Sequence, residues 1–217
     1  MPDTGAKNED WKDGFLFLGN HLALDFLNTR PIQNGEAQEL LPDFEALLRW
    51  FRAAELLNAQ GVSALEKAWE KSARAQQVVE EARRLREDWR KEVLSLEMGD
   101  NVHRTAIDQL NKLLAAYPMV ATVRHTGSGL EMGLSFEPSQ PEDLFAPLAQ
   151  AFAKLFTEAD RSRLRKCGQC VLHFLDTSKK GTRRWCSMQL CGNRLKVAAY
   201  ARRKRMAGEG TRHPTTD

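Results

Sequence analysis

The sequence predicts an α+β fold: a mostly helical N-terminal body with a small antiparallel sheet, plus a C-terminal treble-clef-like module built on four cysteines. Three observations predict it. Apolar residues recur at helical spacing through most of residues 42–156, interrupted by one period-two stretch near 121–136. All four cysteines of the 217-residue chain fall between Cys167 and Cys191, as two close pairs. Charge is segregated as well: residues 161–217 hold 15 Lys+Arg and 3 Asp+Glu, whereas residues 1–160 hold 17 and 26. A near-neutral total of +3 thus conceals an acidic body, net −9, and a basic C-terminal segment, net +12.

Taken in order, residues 1–13 read as a flexible leader. Gly14-Phe15-Leu16-Phe17-Leu18 is short, aromatic and bounded by glycine, which predicts a buried strand. Asn20 is the expected cap of a short helix over Leu22–Asn28, and residues 30–41, with Pro31, Asn34 and Gly35, read as a loop. Pro42-Asp43 opens a helix with Phe44, Leu47, Leu48, Phe51 and Leu57 on one side, and Gly61 is the expected break. Ser63 with Glu66 has the form of a capping box, and Leu65, Trp69, Val78, Ala82, Leu85, Trp89, Val93 and Leu96 predict one long helix behind it, stopped at Gly99. A further helix, capped by Asp100 or Asn101, carries Ala106, Leu110, Leu113, Leu114 and Tyr117.

At Ala121 the period becomes two. Val123 and then Leu130, Met132, Leu134 and Phe136 alternate with polar residues about Gly127-Ser128-Gly129, which predicts a β-hairpin. Ser139 and Glu142 form another capping-box pattern ahead of a helix burying Leu144, Leu148, Phe152, Leu155 and Phe156, with Pro147 at a kink or at its true start.

The cysteines carry the clearest chemistry. Cys167-x-x-Cys170 is followed after 15 residues by Cys186, and after four more by Cys191. Two pairs so spaced each sit on a tight turn and present two thiolates to one tetrahedral ion, the pattern of one structural Zn2+. A reducing compartment disfavours the disulfide alternative, and a second pair at this distance disfavours a redox Cys-x-x-Cys. Val171–Leu175 reads as a strand after the knuckle, Thr182–Trp185 as its returning partner, and Cys191 as the opening of a helix running to about Arg205. His173 is left over, because four cysteines already complete a tetrahedron.

Four thiolates on Zn2+ leave a formal charge of −2, which Arg165, Lys166, Arg183 and Arg184 help to balance. A local excess of twelve exceeds that need, so other cations are expected to face outward, toward a polyanion. On a helix, Lys196, Tyr200 and Arg203 share one face, and Arg202-Arg203-Lys204-Arg205 extends the charge. With Arg183, Arg184 and Arg194 these are the candidate nucleic-acid-binding residues. The partner expected first is DNA; the alternatives are RNA, or a protein-interaction module without sequence-specific DNA binding.

Within the body, Asp25, Asn28 and Thr29 are polar residues in an apolar segment. They read either as a small-molecule effector pocket or as groups bonding nearby backbone. A homodimer through the long helix at 63–98 is a further expectation. There is no P-loop, His-Glu-x-x-His, Gly-x-Ser-x-Gly or dinucleotide fingerprint, and a filled tetrahedron gives no open metal position, so no enzyme is expected. No apolar run approaches the ~20 residues of a membrane span. The polar start Met1-Pro2-Asp3-Thr4-Gly5 is unlike a signal peptide, and a cytoplasmic location is expected.

Cys167-x-x-Cys170, Arg183-Arg184-Trp185-Cys186-Ser187-Met188 and Cys191-Gly192-Asn193-Arg194 together resemble the CGNR zinc finger, over roughly residues 163–205. Gly19-Asn20-His21-Leu22-Ala23-Leu24-Asp25-Phe26-Leu27-Asn28-Thr29 is similar to the ABATE domain that usually precedes it. The resemblance implies zinc ligation by the four cysteines. It also implies a role of the kind proposed for such two-part proteins, stress-induced regulation of transcription with the finger on DNA. The expected organisation is a leader at 1–13, an ABATE-like sensor or dimerisation body at 14–160, the zinc finger at 161–206 and a flexible tail at 207–217.

Overall fold

The computed structural model describes residues 10–33 and 36–192. Trp11–Lys12 (β1) and Phe15–Leu16 (β2) pair as a hairpin. Its turn, Asp13-Gly14, has positive φ at both positions (49° and 83°), the backbone that an Asp-Gly pair tolerates best. Residues 10–13, expected in the leader, therefore belong to the fold. Next come the helix α1 (Leu22–Leu27) and a two-residue hairpin of β3 (Ile32–Gln33) and β4 (Glu36–Ala37), where the sequence suggested only a loop.

The helices α2 (Phe44–Ala53), α3 (Ala59–Trp69), α4 (Ala73–Glu97) and α5 (Arg104–Ala116) build the body. Asp43 caps α2, its Oδ1 accepting the Ala46 amide at 2.8 Å. The expected break at Gly61 is instead the first turn of α3, where the Gly61 amide donates to the Asn58 side chain at 2.8 Å. The expected long helix is two. The chain turns at Glu70–Ser72, and Ser72 caps α4 by accepting from the Ala75 amide at 3.1 Å. Gly99, at φ 92°, ends α4 as anticipated.

The period-two segment forms β5 (Val120–Thr126) and β6 (Gly129–Ser135), paired from Val120–Ser135 to Thr126–Gly129. A 3-10 turn at Pro141–Leu144 then leads into α6 (Phe145–Thr157), with Pro147 in its first turn. The capping box that opens this turn joins Gln140 and Asp143, not Ser139 and Glu142. Finally β7 (Leu164–Lys166) pairs antiparallel with β8 (His173–Leu175). Among the described residues the sheets are thus four separate two-stranded ladders on a helical frame.

Two apolar clusters organise the described residues. The larger fills the body: Phe26, Trp50, Phe51, Trp89 and Phe152 are almost wholly buried, with Trp89 and Phe152 ring centroids 4.1 Å apart and Phe26 edge-on to Trp50 at 5.4 Å. Burying one such side chain is worth about 2–3 kcal/mol. The smaller cluster combines Cys167, Leu172, Phe174, Cys186 and Cys191 of the finger with Leu16 and Leu18 from the N-terminal segment. Phe15 enters the larger cluster and Leu16 the smaller, so consecutive side chains of β2 point into different cores. No helix among the described residues is long and apolar enough to cross a membrane.

Candidate metal centre and basic surface

The four cysteines converge. β7 delivers Cys167 and β8 lies behind Cys170, so the knuckle Cys167–Cys170 is the loop of the β7–β8 hairpin. The Cys167 amide donates to the Leu172 carbonyl at 2.8 Å, closing that loop. The return strand expected at Thr182–Trp185 is not a strand. That segment is held by single bonds instead: the Gly168 amide to the Arg184 carbonyl at 3.0 Å, and the Arg183 amide to Asp176 Oδ2 at 2.8 Å. A Cβ on Gly168 would come within 3.1 Å of the Trp185 ring, so glycine lets the two ligand-bearing segments pack closely. Cys191 follows on a wide helical turn, Met188–Gly192, in which the Cys191 and Gly192 amides both donate to the Ser187 carbonyl, at 3.1 and 3.0 Å.

All four Sγ atoms lie within 4.8 Å of one another, with Cys170–Cys186 at 3.7 Å and Cys186–Cys191 at 3.5 Å. Zinc–sulfur bonds of about 2.3 Å in a tetrahedron place sulfurs about 3.8 Å apart, so the donor set fits one ion. None of the four is in a disulfide. The cluster's electrostatics agree. Hydrogen bonds from the Cys170 and Cys186 thiols hold Cys167 far below the ordinary thiol range, while its contact with Cys167 pushes Cys170 up to about 12. Four thiolates this close repel one another, and a bound dication removes that conflict. One Zn2+ is the cofactor these residues are positioned to hold, and its part is structural: it ties together segments that bury little apolar surface of their own.

The finger rests on the body through backbone bonds. Asn28 Nδ2 donates to the His173 carbonyl and Asn28 Oδ1 accepts the His173 amide, both at 2.9 Å. Asn20 Nδ2 donates to the Leu175 carbonyl at 2.9 Å, and the Leu175 amide donates to the Gly19 carbonyl at 2.8 Å. His173, 1% exposed, is no metal ligand; its Nδ1 lies 3.0 Å from Glu97 Oε1 at the end of α4. This set of contacts was missed in the sequence. Its signal was the polar pattern Gly19-Asn20 and Asn28 in an otherwise apolar stretch.

The same contacts place the candidate pocket residues. Asn28 is spent on β8. Thr29, also buried, donates to the Phe26 carbonyl at 2.7 Å and accepts from Arg86 Nη1 at 2.9 Å. Asp25 Oδ1 accepts the Gly19 amide at 2.7 Å, and burial pushes its carboxyl up to about 7. A Cβ on Gly19 would meet Leu24 Cβ at 2.8 Å and Asp25 Oδ1 at 2.9 Å, so glycine is required for this approach. The structure therefore places all three in backbone and side-chain bonding within the fold.

Among the candidate nucleic-acid-binding residues, Arg184 is exposed, its guanidinium 5.2 Å from the Trp185 ring centroid. Arg183 is half-buried over Phe174 at 4.6 Å and donates from Nε to the Trp185 carbonyl at 2.8 Å. Trp185 packs at the edge of the metal cluster. Arg183, Arg184, Lys179 and Lys180 make no ion pair among the described residues. Arg194, Lys196, Tyr200, Arg202, Arg203, Lys204 and Arg205 lie outside the described residues.

Comparison with known families agrees with this division. The model of the ABATE family, described as "Putative stress-induced transcription regulator", matches residues 20–159. The model described as "CGNR zinc finger" matches residues 163–204. No curated protein matches the chain.

Proposed function

Because this chain belongs to the ABATE family and carries a CGNR zinc finger behind the ABATE domain, we propose that it is a DNA-binding transcription regulator whose body responds to a small ligand. The finger engages nucleic-acid phosphates. One observation carries the reading: a four-cysteine metal cluster lies within a C-terminal segment of net charge +12, attached to a body of net charge −9. Supporting it, the cations beside the cluster lack acidic partners among the described residues. An acidic body behind a basic tip also orients the chain toward a polyanion.

Arg183 and Arg184 would contact phosphate at the finger's outer edge; Arg194, Lys196, Tyr200, Arg202, Arg203, Lys204 and Arg205, outside the described residues, are the further candidates. Arg183 already caps the Trp185 carbonyl and Phe174, so its removal weakens packing as well as charge. Arg184 is the cleaner probe. The test is a gel shift of the zinc-loaded chain against duplex DNA and single-stranded RNA over a salt series. Six phosphate contacts would give a log–log slope of about −5 on duplex DNA, with weaker binding for Arg184→Gln at every salt concentration. Preference for RNA would move the reading to an RNA-binding regulator. No shift at low salt would leave a protein-interaction finger.

A further inference from the structure

A groove of about 250 Å³ runs between body and finger, walled by the β3–β4 hairpin, α4 and the β7–β8 hairpin. Its floor and sides include the apolar Ile32, Leu94 and Val171, of which Ile32 is exposed. Its rim carries Arg30 and Arg90 from the body and Lys166 from the finger.

The charges around it do not balance. Among the described residues Glu87 is the one carboxylate lining the groove, and three guanidiniums draw on it: Arg86 Nε at 3.0 Å, Arg90 Nε at 3.2 Å and Arg30 Nη1 at 3.6 Å. Arg86 has a second carboxylate in Glu39, but Arg30 and Arg90 have none among the described residues. Arg90 spends Nη2 on the Leu27 carbonyl, while its Nη1 is buried with no partner among the described residues. Lys166 makes no ion pair among them either. Arg30 and Lys166 stand exposed at the rim, but Arg90 is largely withdrawn from water with little compensation, and a ligand bringing negative charge to this rim offsets that cost. Burial accordingly pushes Arg90 below the usual arginine range.

We propose that this groove binds a small organic carboxylate, its anionic end among Arg30, Arg90 and Lys166 and its apolar part on Ile32, Leu94 and Val171. An inorganic anion would use the rim and leave the apolar walls exposed, which is why the carboxylate is favoured. At about 30 Å³ of liquid per water, the space equals roughly eight waters, the size of a single-ring or short branched acid. The site deepens the ligand-sensing half of the function proposed above and is independent of DNA binding. It also suggests how a ligand reaches the metal knuckle, because Lys166 and Val171 stand immediately before Cys167 and after Cys170. A ligand seated between them and α4 tightens the knuckle against the body.

The test uses benzoate as the probe, titrated into the zinc-loaded full chain without DNA and followed through methyl resonances. Saturable shifts at Ile32, Leu94 and Val171, with a Kd of order 1 mM or tighter, are expected. They should weaken at least about fivefold in Arg30→Gln and in Lys166→Gln, substitutions at groups with no buried partner to lose. Benzamide, of the same shape and uncharged, should leave the methyls unmoved. Absence of saturable shifts with benzoate, equal response to benzamide, or indifference to both substitutions would overturn the proposal. Equal occupancy by inorganic phosphate would overturn the organic part of it. Since no DNA is present, failure of DNA binding leaves this result readable on its own.

Discussion

Asp25 lies one turn into α1, its Oδ1 on the Gly19 amide at 2.7 Å and its carboxyl raised by burial to about 7 from an ordinary 3.8. The folded state therefore holds a proton that the unfolded state releases, between about pH 4 and pH 7. Stability from this group is complete at the acidic end of that window and is lost as pH rises through about 7. Asparagine keeps the acceptor for Gly19 and has nothing to titrate. The stability of the native chain relative to Asp25→Asn should thus fall from pH 4 to pH 8, by on the order of 4 kcal/mol for a three-unit difference. Urea unfolding of both at several pH values measures it; a flat difference would show that the carboxylate stays charged in the fold. Asn20 is as constrained. Its φ of 54° suits asparagine better than most residues, and its side chain reaches the Leu175 carbonyl.

At the scale of elements, β8 is the piece on which body and finger meet. One edge of this three-residue strand pairs with β7, and the other is filled by Asn28 and by the Gly19–Asn20 backbone and side chain. A strand edge left open in the interior would strand polar groups at a cost of about 1–3 kcal/mol each. Asn28→Ala removes a donor and an acceptor together, so a loss of about 2–4 kcal/mol is expected, concentrated at the finger. Amide exchange should quicken at His173 and Leu175 while the centre of α4 keeps its protection. Uniform acceleration through both would mean that Asn28 supports the body and not the junction. α1, at six residues, is too short to persist alone; its caps and its burial between α4, α6 and β8 hold it.

α4, part of the segment expected to carry a dimer contact, spends its apolar side inside its own body. Its apolar stripe, Val78, Ala82, Leu85, Trp89, Val93 and Leu96, is buried in its own body, and its outer face carries Arg84 paired with Glu81 and Asp88, and Lys91 paired with Asp88. Helical periodicity showed the stripe but not what covered it. The turn at 70–72 does leave a trace in it: at about 100° per residue Trp69 and Val78 stand half a turn out of phase, which one continuous helix would not allow on a single buried face.

For the whole molecule, the metal and the two apolar clusters predict how it comes apart. The body's core contains no metal ligand, whereas the smaller cluster is lined by Cys167, Cys186 and Cys191. Chelation should therefore unfold residues 163–192 and leave most helical circular dichroism in place, with Trp11 and Trp185 fluorescence reporting the loss. Full cooperative unfolding by the chelator would instead make the finger part of one unit with the body. Acid should have the same local effect. The thiols must lose protons to bind the ion, so apparent metal affinity falls as pH falls, and metal uptake near neutral pH releases protons that a pH-stat can count.

Much of this was legible in the chain because it depends on neighbours. Cysteine spacing encodes the ligand set, since a knuckle is local; the Asp43 cap, the Gly99 stop and the 120–135 hairpin are equally short-range, and the charge asymmetry is composition alone. The tertiary structure decided the rest. Asn28 meets His173 across 145 residues, His173 meets Glu97 across 76, and Arg86 meets Glu39 across 47. No spacing rule relates such positions. Their polar groups found partners because burial makes an unpartnered one expensive, and only the folded chain determines which partner is within reach.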